Sequence, residues 1–202
     1  MKLTQLIFTT STAVILFAAN TAFAASPLAV DFHTAYTNTP AVQQARTAGK
    51  ITNDLAAFLA APNPIGEKAA VINVLNNKGK QQNAKIFRDY LAKNSGGTFN
   101  ADTIGPEEQF ALGYLTALDD PAQAQKALPM LEKAKAQMSN SFTVAMIMNL
   151  VKAQQQIGKQ SCRAWVLTED VLSDDNLTMD MREEAVDMIE EGMGVYAKDN
   201  CK

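Results

Sequence analysis

The chain has 202 residues, with 18 Lys and Arg against 21 Asp and Glu and a formal net charge of −3. That balance excludes a general nucleic-acid binder, which needs a basic surface to meet phosphate charge. The length suits one domain that can bury a sizeable core.

The first residues have the pattern of a targeting segment. Met1-Lys2 gives a positive start, Leu6 to Ala19 is mostly apolar, and Ala22-Phe23-Ala24 is a small-x-small cleavage site. Residues 1–24 are therefore predicted to be a signal peptide, with Ala25 as the mature N-terminus and 25–202 as one all-helical domain. The apolar stretch is too short for a membrane span, and no later segment approaches about 18 uninterrupted apolar residues. No Cys follows the cleavage site, which argues against a lipoprotein anchor. The expectation is a periplasmic protein of a Gram-negative bacterium, with no stable membrane insertion once the signal is removed.

Ala25 to Pro40 has little periodicity and is expected to be an extended arm or a short helix around Ala29 to Tyr36. Ala41 to Ala61 is predicted helical, with a break near Gly49, and Pro62-Asn63-Pro64 ends it because residues before proline avoid the helical region. Glu67 to Asn76 and Gln81 to Lys93 form a second helical pair around a Lys78-Gly79 turn. The Gly, Ser, Thr and Asn stretch 94–105, with Gly96-Gly97, is the candidate for an internal boundary or a mobile loop.

Pro106 to Met138 follows as a further pair. Phe110, Leu112, Leu115 and Leu118 mark its first member, and Leu128, Leu131 and Ala134 its second. Within it, Gln109-Phe110-Ala111-Leu112-Gly113-Tyr114-Leu115, then Lys126-Ala127-Leu128 and Leu131-Glu132-Lys133-Ala134, resembles a helix-pair repeat of the tetratricopeptide class. The likeness is to the sel-one-like variant and covers about residues 107–137. It implies an irregular stack of antiparallel helix pairs, α-solenoid-like, with Gly113 admitting the second helix closely and the small Ala127 and Ala134 at the crossing. Pro129 departs from the pattern, so that helix must be kinked or start late.

Ser139-Asn140-Ser141 offers an N-cap to an apolar helix carrying Phe142, Met146, Leu150 and Ile157. Gly158-Lys159 turns it into Gln160 to Leu172, where Ala164, Trp165 and Leu167 to Val171 carry the packing. A last helix is expected from about Thr178 to Ala197, with Ala185, Val186, Ile189 and Met193 on its apolar side. Placing Ala84, Ala127 and Ala164 at equivalent points gives intervals of 43 and 37 residues, within the range of helix-pair repeats. The predicted fold class is all-α and single-domain.

Cys162 and Cys201 are the two cysteines, and in an oxidising compartment an isolated pair is predicted to form a disulfide. Cys162 falls near the start of one helix and Cys201 just past the end of the next, so antiparallel neighbours bring them together. His33 is the single imidazole, which leaves Ser-His-Asp and Cys-His arrangements without support. Asp119-Asp120 and Glu169-Asp170-Asp174-Asp175 are dense carboxylate groups. The second is the candidate for weak Ca²⁺ binding but lacks the spacing and turn glycine of an EF-hand loop, so both are assigned to turns or helix ends. Nine methionines at largely helical spacing are expected to fill the core or form an adaptable surface, with copper(I) binding as the sharper alternative. No catalytic, cofactor or metal site is predicted.

Charge is unevenly distributed. Residues 25–100 carry 8 basic and 4 acidic side chains, whereas 161–202 carry 4 basic and 11 acidic. At 100° per residue Glu183, Asp187, Glu190 and Glu191 fall opposite the apolar stripe of the last helix. These four are the candidate partner-binding residues. The expected function is a non-catalytic, exported binding or adaptor module for another protein or peptide of basic character. The competing classes are a periplasmic inhibitor or immunity protein that neutralises a secreted hydrolase and, third, a cell-envelope enzyme.

Overall fold

The computed structural model describes residues 26–76, 82–197 and 201. The predicted signal peptide, residues 1–24, and the expected Lys78-Gly79 turn lie outside them. Two 3₁₀ turns, Pro27–Ala29 and Phe32–Tyr36, precede helices α1 Pro40–Ala48, α2 Asn53–Ala60, α3 Ile65–Leu75 and α4 Asn83–Asn94. Then come α5 Pro106–Asp119, a 3₁₀ segment Pro121–Ala127, α6 Leu128–Gln137, α7 Phe142–Gln154, α8 Ser161–Leu172 and α9 Glu183–Gly194. Among the described residues there is no strand, only an isolated parallel bridge between Ser141 and Thr178. The fold is all-α around one continuous core.

Local chemistry sets most boundaries. Gly49 takes the left-handed conformation (φ 67°) after α1 and returns its N–H to the Ala45 carbonyl, which separates α1 from α2. Thr52 and Ser141 cap α2 and α7 by accepting from the N–H groups of Leu55 and Val144. Pro129 sits in the first turn of α6, where a missing N–H costs nothing. The helix therefore starts late, preceded by a 3₁₀ segment in which Gln123 leaves helical geometry.

Sequence-adjacent helices pair, α5 with α6 and α7 with α8, while α5 also packs on α2, α3 and α4. Gly113 stands at the α5–α6 crossing: a Cβ there would lie 2.8 Å from Leu131 Cγ. Ala127 and Ala134 are fully buried beside it. The close approach expected at these small residues is present. Gln109, buried on α5, donates to the carbonyls of Ala101 and Ile104 and so ties down the loop that joins α4 to α5.

Two elements differ from the pattern read along the chain. Residues 26–39 are not an extended arm: the short helix expected around Ala29 to Tyr36 is present as the 3₁₀ turn Phe32–Tyr36, preceded by a second turn, and Leu28, Phe32, His33 and Tyr36 are buried against α3, α7 and α9. Buried Asn73 on α3 makes this possible. Its Oδ1 accepts from the His33 backbone N–H at 3.1 Å and lies 2.8 Å from His33 Nδ1, while its Nδ2 donates to the Val30 carbonyl and to Tyr114 Oη.

The last helix begins at Glu183, five residues later than the expected Thr178. Thr178 is held in extended backbone by exchange with Asn140 and Phe142, and Asp180 is spent on α7, accepting from the Thr143 N–H at 2.7 Å and from Ser141 Oγ. Arg182 finishes the stop. Its N–H donates to Tyr36 Oη, its guanidinium donates to Ala35, Asn38 and Thr39, and it stacks 4.5 Å above the Tyr36 ring. Met179 and Met181 are consequently not helical: Met179 is exposed and Met181 is buried in the core.

Candidate functional site

The C-terminal end of the fold is assembled from α8, α9 and the disulfide. Cys162 on the first turn of α8 is joined to Cys201, with Cα atoms 5.1 Å apart and a sequence separation of 39. The predicted pairing is present, and it fixes the chain end against α8. By loop-closure entropy such a cross-link is worth about 4 kcal/mol.

On α9 the apolar positions turn inward: Ala185, Ile189 and Met193 are fully enclosed and Val186 nearly so. Gly192 lets the helix seat on the N-terminal segment, because a Cβ there would come within 2.7 Å of Val30 Cγ2. Packing that face outward-locks the other. Glu183, Glu184, Asp187, Glu190 and Glu191 are exposed, and none forms an ion pair among the described residues. Glu183 and Glu184 occupy the first turn, where the helix dipole favours negative charge.

The four candidate residues do not act as one group. Asp187, Glu190 and Glu191 line a shallow groove of about 370 Å³ whose other wall is Trp165 of α8, with Gly194 at its end. Glu183 is not part of that lining. Glu191 also borders a second groove of about 480 Å³ with Asp31, Thr34, Met188 and Val195. Val195, 44% exposed, is one of two large apolar side chains left open to solvent among the described residues. The helical wheel identified the carboxylates. It does not reach Trp165, which packs against the core as expected and, being half-buried, also presents an edge to this groove.

Two other carboxylates singled out in the sequence have structural partners. Asp119, at the end of α5, accepts from the N–H groups of Asn83 (3.1 Å) and Ala84 (2.8 Å) and so caps α4 from another helix. Burial raises its carboxyl above the usual range, opposed by those two bonds. Asp174 accepts from Asn176 within its own turn, which lowers its pKa. Among the described residues no cluster of three His, Cys, Asp or Glu side chains is placed to hold a metal. Lys68 is fully buried on α3 and paired with Glu107 of α5. Burial pushes its ammonium below the ordinary lysine range while the Glu107 bond pulls it back. His33 is enclosed and bonded to Asn73.

No family model, curated protein or solved structure matches the chain. Among the described residues no helix is long and apolar enough to cross a membrane.

Proposed function

We propose that this chain is an exported, non-catalytic binding module that docks a basic protein or peptide on the acidic face of α9. The observation that carries this reading is the groove in which Asp187, Glu190 and Glu191 face Trp165. Carboxylates beside an aromatic face are the complement of a Lys or Arg side chain, through charge and cation–π attraction together. Unpaired exposed carboxylates steer a cationic partner more than they hold it, so the effect belongs in the association rate and its salt dependence. His33 is buried and bonded to Asn73, and Asp119 and Asp180 serve as caps of α4 and α7.

The periplasmic location rests on the Lys2-led leader with Ala22-Phe23-Ala24, and it suits a chain whose two cysteines are joined. The sel-one-like repeat reading is supported by the close crossing at Gly113, Ala127 and Ala134.

The test is affinity capture from the periplasm with the wild type and with Asp187→Asn/Glu190→Gln/Glu191→Gln in parallel, followed by association kinetics of whatever is captured across a salt series. A basic protein that is captured by the wild type, associates more slowly with the variant and loses its salt dependence there is the expected result. Equal capture and equal kinetics would leave the acidic face as a solvated surface. A captured hydrolase whose activity falls on binding would move the reading to an inhibitor or immunity protein.

A further inference from the structure

A separate cleft of about 470 Å³ lies between α4, α5, α6 and the loop that follows α4. That volume is within the range of small-molecule pockets, roughly 300–1,000 Å³. Leu112 forms its floor, and Phe99 and Met130 stand as half-buried walls. Phe99 is delivered by the loop in which Gly96 and Gly97 both take positive φ, at 91° and 97°, a turn that favours glycine. The loop is then anchored by Gln109 to its own carbonyls and by the ion pair of Asp102 with Lys133 on α6.

The rim has one sign of charge. Lys85, Arg88 and Lys126 reach the lining, and among the described lining residues there is no carboxylate. Lys85 is shared with Asp89 at 2.6 Å, whereas Arg88 and Lys126 form no ion pair among the described residues. An apolar pocket rimmed only by cations complements a ligand with an apolar body and an anionic head. A cleft of this volume suits a small molecule.

We propose that this cleft binds a free anionic amphiphile of the alkyl carboxylate class. The chain enters between Leu112, Phe99 and Met130, and the carboxylate meets Arg88 and Lys126. This site is independent of the acidic face of α9.

Decanoate below its aggregation range is the probe, titrated calorimetrically into the full mature chain, with decyltrimethylammonium as the charge-reversed comparison. Saturable one-to-one binding of decanoate is expected, with the ammonium compound weaker by at least about tenfold, and Arg88→Gln/Lys126→Gln weaker for decanoate by a similar factor. Both cations are exposed, so circular dichroism and the melting temperature of that variant should not change. Lys126→Glu alone should weaken decanoate further than Lys126→Gln. Phe99→Ala should weaken both amphiphiles, and Glu190→Gln/Glu191→Gln should leave decanoate affinity unaltered. Absence of saturable binding, equal affinity for the two head groups, or wild-type affinity in the Arg88/Lys126 variants would overturn the assignment. So would an acidic amphipathic peptide that occupies the cleft where decanoate does not.

Discussion

Gly113→Ala tests the packing on which the helix-pair architecture depends. The added Cβ would lie 2.8 Å from Leu131 Cγ, 3.0 Å from its Cδ2 and 3.4 Å from the Ala127 carbonyl oxygen. Leu131 is fully buried, so its side chain has little room to turn away. Overpacking of this kind costs about 1–3 kcal/mol. Replacing a mid-helix glycine by alanine returns about 1 kcal/mol of helix propensity. The net expectation is a loss of up to about 2 kcal/mol, or up to roughly 8 °C in Tm for a chain of this length.

Urea unfolding followed by circular dichroism measures the loss. Gly194→Ala is the control: a Cβ there meets nothing within 4 Å, so it should be neutral or stabilising by up to about 1 kcal/mol. A double-mutant cycle isolates the contact, because Leu131→Ala removes the atoms that the new methyl strikes. Gly113→Ala/Leu131→Ala should cost less than the sum of the single changes by about 1 kcal/mol or more. Additive costs, or a Gly113→Ala variant as stable as Gly194→Ala, would refute the close crossing of α5 on α6.

Leu150→Ala should cost about 2–5 kcal/mol because Leu150 is 1% exposed on α7, and Leu112→Ala should fall toward the lower end because its site opens into a cleft. Intact-mass measurement after alkylation should find no modified thiol without reductant and two with it, and reduction should lower stability by about 4 kcal/mol. Asp119 gives a pH signature. Its folded pKa is raised mainly by burial, so its contribution is fully present below the unfolded value near about 3.9 and is lost as pH rises through the folded value. The stability of wild type minus Asp119→Asn should therefore decline from about pH 3 to pH 7, and a difference that grows over that range would reverse the assigned cause. Asp119→Ala at neutral pH should cost about 1–3 kcal/mol, since the N–H groups of Asn83 and Ala84 lose their acceptor.

Whatever depends on near neighbours along the chain was legible in the residues themselves. The breaks at Gly49 and Pro62-Asn63-Pro64, the Ser141 cap, the close approach at Gly113 and the inward stripe Ala185, Val186, Ile189 and Met193 follow from backbone sterics and a 3.6-residue period. Both act within one or two turns. The pairing of Cys162 with Cys201 followed from their being the two cysteines, at ends that antiparallel helices bring together. Tertiary structure decided the rest, through bonds that span tens of residues and leave no periodic trace. Asp119 caps α4 across 35 or 36 positions, Asp180 holds the start of α7 across 37, and Asn73 binds the N-terminal turns across 40. Arg182 closes onto Tyr36 over 146 residues and thereby delays α9 to Glu183. The two candidate sites divide the same way. The carboxylates of α9 were set by the helical period, but Trp165 beside them, and the gathering of Leu112, Phe99, Arg88 and Lys126 around one cleft, exist because separate helices were packed together.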